Sequence, residues 1–385
     1  MVSKSNYILL SGLALRDNNR GTAALGYGAF SFLDENGICD DNTHFARIKV
    51  KGLFSWRTKD FPEEIKLSDQ KWFLETLFVN SFEWRLLCHL KIVLPFGKLH
   101  RIMQRTKYVA AINGGDGFSD IYGKNLFLSR LPESWLAMTT KTPLLILPQT
   151  IGPFKELENK RIASKILKYA KQVYVRDNCY VNELEQLGVD YKQVNDLSYY
   201  MKPEPWAIDI DTRNAIGLNV SGLAFDNKFF SLAGNFDLYP KLINSIIRLF
   251  QQKGKTVYLI SHSYCYNNPE ENNDDLEAAR KVFNNLKDKS NVVLIDRDLI
   301  SPQVKYLISK MSFFVGTRMH ANFAAIFSKV PVFGLAYSSK FKGAFENNGI
   351  YNRVFDIKNI KDEDIDSVLS VIDRAYTEDV LQKNI

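Results

Sequence analysis

Short apolar runs separated by helical stretches recur along the whole chain of 385 residues. Runs this short and this continuously apolar suit strands covered on both faces, and the stretches between them supply the crossovers that parallel strands require. In the first half the runs fall at 7–13, 45–50, 108–112, 144–147 and 173–175, with helices expected at 23–33, 158–170 and 178–187. Residues 201–212 (MKPEPWAIDIDT) combine prolines with acidic residues and read as a linker. The alternation then restarts, with strands at 215–220, 256–261, 292–295, 313–315, 332–335 and 353–355. Helices are expected there at 238–252, 274–286, 303–310, 321–329 and 365–376. A chain of this length exceeds one ordinary core. The expected fold is therefore α/β, with two Rossmann-like domains, 1–205 and 212–385, facing each other across a central cleft.

Net charge is +7, with a pI of about 8.9, which favours anionic small substrates or an anionic membrane face. Nucleic acid is not expected as a partner, because no basic helix or RNA-reading motif accompanies the charge. The four cysteines, Cys39, Cys88, Cys179 and Cys265, are scattered and form no CxxC pair, as in a reduced cytosolic protein. His262 and Cys265 have ligand-like spacing, but no second pair completes a metal site, so no metal is expected. The apolar run 7–15 is too short to cross a bilayer, and no secretory signal is visible, so the expected location is the cytoplasm.

In doubly wound sheets, ligands bind beyond the carboxyl ends of the strands, so chemistry is sought in the loops that follow them. The richest of these is Gly316-Thr317-Arg318-Met319-His320-Ala321, where a strand turns into a helix. The helix start attracts anions, Arg318 adds a fork of donors matched to phosphate or carboxylate, and His320 adds a group that titrates near neutrality. After the first strand, Asn19-Arg20-Gly21-Thr22 can contact phosphate or sugar, or simply cap a helix through Thr22. After 108–112, Asn113-Gly114-Gly115-Asp116-Gly117-Phe118-Ser119-Asp120 offers close backbone approach at Gly114 and Gly115, and carboxylates at Asp116 and Asp120 that could orient or deprotonate sugar hydroxyls. Pro148-Gln149-Thr150 makes Gln149 a polar contact or a structural residue, and Arg176-Asp177 makes Arg176 a second anion clamp or half of a surface pair. Asp196 either lines the cleft or belongs to a turn.

Residues 82–107 interleave Arg85, His89, Lys91, Lys98, His100, Arg101, Arg105 and Lys107 with Phe82, Trp84, Leu86, Leu87, Ile92, Val93, Leu94 and Phe96. Such a stretch can rest on an anionic membrane, or can be an ordinary amphipathic helix pair covering the sheet.

Taken in order, the blocks Asn19–Leu25, Asn113–Asp120, Pro148–Phe154, Arg176-Asp177 and Gly316–Ala321, the last followed by Gly334-Leu335-Ala336-Tyr337-Ser338-Ser339-Lys340, resemble the polysaccharide pyruvyl transferases. Asn113 stands where the resemblance leads one to expect a glycine. The resemblance implies a GT-B-like architecture and transfer of pyruvate from phosphoenolpyruvate to two hydroxyls of a sugar, giving a cyclic ketal in surface polysaccharide synthesis. It associates Arg318, His320 and Arg176 with phosphoenolpyruvate, with Met319 held between the first two and Lys340 aiding the anionic charge. It makes His320 an acid or base, with Asp120 or Asp116 taking a hydroxyl proton. It calls for no cofactor beyond phosphoenolpyruvate as co-substrate. A lipid-linked sugar acceptor at the inner face of the cell membrane would suit residues 82–107, and would place the acceptor with the first domain and phosphoenolpyruvate with the second. Two other readings share the fold: a glycosyltransferase using a nucleotide sugar, and a carbohydrate-binding assembly protein without turnover.

Overall fold

The computed structural model of the protein describes residues 6–40, 42–52 and 58–381, with the side chains of Asn6, Ser231, Ser339, Lys340, Lys342 and Leu381 outside that description. The chain forms two α/β units: Met1–Leu15 with Leu25–Lys202, and Arg16–Ala24 with Pro203–Ile385. The segment Arg16–Ala24, which the alternation alone leaves with the first domain, thus belongs to the second unit.

The first unit is built on an eight-stranded sheet in the order β3-β4-β2-β1-β5-β6-β7-β8. The strands are β1 (Asn6–Ser11), β2 (Thr43–Lys51), β3 (Phe61–Leu67), β4 (Gln70–Asn80), β5 (Thr106–Ala111), β6 (Leu144–Gln149), β7 (Gln172–Val175) and β8 (Lys192–Gln193). All pairings are parallel except β3 with β4. The central strands carry continuous aliphatic runs because both faces are covered there: every residue of β6 is buried. Strands β3 and β4 were not among the expected ones. They form an antiparallel hairpin in which Ile65 and Leu67 of β3 are buried on the same face as Trp72, Leu74 and Thr76 of β4, while Leu77 and Val79 of β4 are buried on the opposite face. The turn between them uses Ser68 at a positive φ of 49°.

From β1 the chain runs to β2 on one side of the sheet and later reaches β5 on the other. The ends of β1 and β5 therefore flank the switch point where open α/β sheets bind ligands. The helix Arg20–Glu35 follows β1, and its Gly28 lies against residue 197 so closely that a Cβ there would stand 1.8 Å from the Leu197 carbonyl oxygen.

The stretch 82–107 is not an amphipathic helix pair. A short helix Ser81–Arg85 runs into a π-turn Leu86–Leu90, and a separate helix Lys98–Met103 precedes β5. Glu83 is buried between these pieces, accepting from the backbone N–H of Leu99 at 3.0 Å.

The second unit carries a six-stranded, all-parallel sheet in the order β11-β10-β9-β12-β13-β14. Its strands are β9 (Ala215–Asn219), β10 (Thr256–Leu259), β11 (Val292–Leu294), β12 (Phe313–Gly316), β13 (Val332–Ala336) and β14 (Val354–Asp356). The helix Tyr239–Gln252 buries Leu242, Ile243, Ile246, Ile247 and Phe250 along one face, the spacing a helix needs to cover a sheet. Here the switch point lies between β9 and β12, so Asn219 and Thr317-Arg318 flank it.

Gly28→Ala should unfold the first unit more easily, by about 3 kcal/mol, because the methyl overlaps backbone that cannot move aside. Thermal melts of the wild type and the variant check this; equal midpoints would contradict the packing described.

Candidate functional site

The switch point of the second sheet is organised by one carboxylate. Asp275 opens the helix Asp275–Asn285 and is completely buried. Its oxygens accept from Asn219 Nδ2 (3.2 Å) and from the backbone N–H groups of Gly222 (2.9 Å), His262 (3.1 Å) and Ser263 (3.0 Å). They also accept from Arg318 Nε (3.0 Å) and Nη2 (2.7 Å). The carboxylate thus ties together the ends of β9, β10 and β12. Its partner Arg318 is fixed further by Asn273, whose backbone and side-chain oxygens accept from Nη2 at 3.1 and 2.8 Å. Burial alone would depress the Arg318 pKa, but the neighbouring Asp275, with Tyr337, raises it, so the guanidinium stays charged. Arg318 is therefore a cation held in one orientation, not a mobile side chain.

Arg318 also caps the helix Met319–Phe327, its own backbone N–H donating to Asn219 Oδ1 at 2.8 Å. Met319 and His320 follow in the first turn, both partly buried. The His320 ring meets Phe323 edge-on, with centroids 5.6 Å apart. Its Nδ1 lies 2.6 Å from where a Cβ on Gly21 would stand, so the imidazole rests on the backbone of the Asn19–Gly21 segment. Asn19 Oδ1 accepts from the Gly21 N–H at 2.9 Å and caps the Arg20–Glu35 helix, a part expected of Thr22.

Arg20 holds that segment in the second unit, a role the sequence reading missed. It donates to the carbonyls of Leu299 (2.7 Å), Asp17 (2.9 Å) and Asn18 (3.1 Å), pairs with Asp298 (3.1 Å) and stacks over the Tyr264 ring at 4.1 Å. Asn19 in turn bridges Ser263, and the Arg20 N–H donates to the His262 carbonyl at 2.9 Å. His262 is buried, and desolvation first, then the charges of His320, Arg20 and Arg318, hold its pKa well below 6.5. Tyr239 lies beneath, its hydroxyl 2.7 Å from Thr317 Oγ1 and accepting from the Ser221 N–H. Only the side-by-side acids Asp274-Asp275 hinted at this hub in the sequence, and a helix start explains them equally well: Asp274 is an ordinary N-cap, accepting from Leu276 and Glu277 N–H. Lys340 lies on the helix Ser339–Asn347, and its side chain is outside the described residues.

In the first unit the expected residues gather at the end of β5, yet several are committed to structure. Gly114 and Gly115 make the turn in left-handed conformations (φ 70° and 85°). Asp116 is partly buried and accepts from the Tyr122 hydroxyl at 2.8 Å. Asp120 faces no open space: its carboxylate accepts from the N–H groups of Lys155 (2.8 Å) and Glu156 (3.0 Å) and from Asn159 Nδ2 (3.0 Å). Burial would raise its pKa, but these donors outweigh it and leave it below 3.8. Asp120 holds a turn, which corrects its reading as a base. Gln149 is fully buried, donating to the carbonyls of Ala111 (3.1 Å) and Leu147 (3.0 Å) under the loop, so it braces strands and is not a surface contact. Arg176 is buried and ion-paired with Asp196 at 2.7 Å, with Nε on Thr150 Oγ1 at 3.0 Å and Asp177 at 3.4 Å. It supports the loop beneath Gly115 as half of a buried pair, neither a surface pair nor an open clamp.

Two pH effects follow. Asp120→Asn should cost about 2 kcal/mol of stability at pH 7 through loss of charge-assisted bonds. Because the folded pKa is depressed, this contribution is full above the ordinary 3.8 and fades as pH falls through the folded value, so wild-type and variant melts should converge in acid. His262, neutral when folded, protonates on unfolding below 6.5, so stability should fall as pH drops from there, by up to about 1.4 kcal/mol per pH unit. Denaturant titrations of wild type and His262→Gln across pH 5–7 read that slope, about pH 6 being the most informative point; an unchanged slope in the variant would contradict the assignment.

Comparison with known proteins bears on the family and the fold. The family described as polysaccharide pyruvyl transferase matches residues 19–339, from the Asn19 segment to the start of the helix after β13. The amylovoran biosynthesis protein AmsJ of Erwinia amylovora is 21% identical over 275 residues, covering 67% of this chain and 64% of AmsJ. The chain thus spans somewhat less than two thirds of that relative. Among solved structures, a proposed UDP-N-acetylglucosamine 2-epimerase from Listeria monocytogenes aligns with a TM-score of 0.54 at 10% identity, covering 98% of this chain and 91% of that one. The UDP-GlcNAc 2-epimerase from Methanocaldococcus jannaschii aligns with a TM-score of 0.52 at 10% identity, covering 95% and 91%. These likenesses are of the GT-B type of fold alone. With nearly its whole length, including the Arg318–His320 turn, inside the family match, the chain belongs to the polysaccharide pyruvyl transferase family.

Proposed function

We propose that this protein moves pyruvate from phosphoenolpyruvate onto two hydroxyls of a sugar, forming a cyclic ketal during polysaccharide synthesis. The observation that carries the reading is the Arg318–His320 turn at the second switch point, with the guanidinium locked on Asp275. Phosphoenolpyruvate brings a phosphate and a carboxylate, and a fixed cation at a helix start suits either. In the reaction C3 gains a proton while one hydroxyl oxygen bonds to C2. The bond from C2 to the phosphate oxygen then breaks and phosphate leaves. The second hydroxyl closes the ketal, and the two hydroxyl protons end on C3 and on phosphate. His320, beside Arg318, is the group positioned to carry a proton in this sequence. Gly21 beneath its ring keeps that position open.

A lipid-linked acceptor fits the surface of 82–107. Leu90, Ile92 and Phe96 are exposed there, Phe96 at 93%, beside exposed Arg85, Lys91 and Arg101. Lys98 and Lys107 are paired with Asp60 and Asp40 and contribute less to such a face. Among the described residues no helix is long and apolar enough to cross a membrane, so the contact proposed is peripheral.

Purified protein incubated with phosphoenolpyruvate and aryl or lipid-linked glycosides should release phosphate and add one pyruvate less one water to the glycoside by mass spectrometry. His320→Ala should lower kcat by about 100-fold or more while phosphoenolpyruvate affinity changes little. Turnover of a UDP-sugar in place of phosphoenolpyruvate would replace this reading with glycosyl transfer. Sedimentation with anionic liposomes at low salt should carry the wild type down, and Phe96→Ser with Lys91→Glu should not; equal recovery would remove the membrane contact.

A further inference from the structure

The switch point of the first sheet holds a polar group without an evident structural task. Asn113 lies two residues past the end of β5, is 2% exposed, and both its side-chain oxygen and nitrogen lack a hydrogen-bond partner among the described residues. Buried carboxamides are normally paired, because an unpaired one loses its bonds to water and gains none. Its backbone carbonyl accepts from the Gly117 N–H and from Arg130 Nη1, each at 3.1 Å. Its φ of 49° is one that glycine adopts without strain and that asparagine tolerates. Nothing in the local fold thus calls for a carboxamide at this position, and glycine would serve the turn better.

The neighbouring strand end supplies a second polar pair. Ser11 closes β1 opposite Ala111 of β5, and its carbonyl accepts from the Ile112 N–H at 3.1 Å. A Cβ on Gly12 would stand 3.2 Å from the Asn113 nitrogen, so the two strand ends are in contact. The Ser11 hydroxyl donates to Glu133 Oε2 at 3.1 Å, and Glu133 stands in the first turn of the helix Pro132–Thr140. Glu133 is partly buried, and desolvation pushes its carboxyl above its usual range.

We propose that the first switch point is a subsite for a pair of neighbouring sugar hydroxyls, read by the Asn113 carboxamide and the Ser11–Glu133 pair. This rests on the pyruvyl-transfer reading, which requires an acceptor presenting two hydroxyls close together. A carboxamide offers a donor and an acceptor side by side, and a hydroxyl can meet either. Asn113 then selects the acceptor, since a site with buried polar groups rejects a sugar lacking the matching hydroxyl far better than an apolar one does.

The test uses the full chain with 4-nitrophenyl β-galactoside and 4-nitrophenyl α-mannoside as probes, bound glycoside being read by saturation-transfer NMR. Wild type should bind at least one of them. Asn113→Gly and Glu133→Gln should each weaken that binding by about tenfold or more. Asn113→Gly should melt no lower than wild type, and both variants should bind phosphoenolpyruvate as wild type does. Glycoside binding unchanged in both variants, or no binding of either glycoside by wild type, overturns the subsite. Phosphoenolpyruvate turnover separates the two ideas. Turnover with an acceptor KM unchanged in Asn113→Gly sinks the subsite and keeps the reaction. Asn113-dependent glycoside binding without phosphoenolpyruvate turnover sinks the reaction and keeps the subsite.

Discussion

The second unit depends on the burial of one carboxylate. Asp275 is fully buried and gathers three backbone N–H groups, an asparagine amide and two guanidinium N–H groups from three separate parts of the chain. A buried charge left without partners would cost several kcal/mol, so the strand ends that supply its donors are locked to one another. The same set of bonds sets the direction of Arg318. The ordering of this many-rotamer side chain is therefore completed when the domain folds, which is the preorganisation the proposed anion site requires.

The sheet order explains where the candidate groups fall. In each unit the strand order reverses beside the first strand, and the loops at that point carry the unusual side chains: Arg318 and His320 in one, Asn113 with Ser11 and Glu133 in the other. Parallel strands place all their carboxyl ends on one edge, and the reversal leaves a gap between the crossovers there. Polar groups of unlike chemistry collect at these two gaps, cationic in the second unit and hydroxyl-, amide- and carboxyl-bearing in the first. That division suits a reaction joining an anionic donor to a polyhydroxylated acceptor.

Much of this was legible in the sequence because parallel α/β architecture writes itself as alternating apolar runs, and because strand ends are where side chains become available. Arg318 and His320 were singled out on those grounds. What was not legible depended on partners far away in sequence. Arg176 looks like an anion clamp until Asp196 and Thr150 are placed on it, and Asp120 looks like a base until the backbone of 155–156 folds over it. Asp275 is disguised as part of a helix start. The β3–β4 hairpin was missed for a different reason: β3 (FPEEIKL) is mostly polar with a proline, and the apolar triplets Trp72–Leu74 and Leu77–Val79 of β4 are interrupted by Glu75-Thr76, so neither strand reads as one apolar run. Residues 82–107 showed their cationic and apolar content in sequence, but not the buried Glu83 that breaks them into short pieces.

The central claim is that a guanidinium held by Asp275 and Asn273 receives the anionic donor, and calorimetric titration of phosphoenolpyruvate into wild type and Arg318→Lys tests it most directly. A lysine keeps the charge but cannot span the Asp275 and Asn273 oxygens while facing a ligand. The account predicts that wild type binds phosphoenolpyruvate and that the lysine variant, still folded, binds it about tenfold more weakly or worse. Equal affinity in the two proteins, or binding of a UDP-sugar and not of phosphoenolpyruvate by wild type, would contradict it.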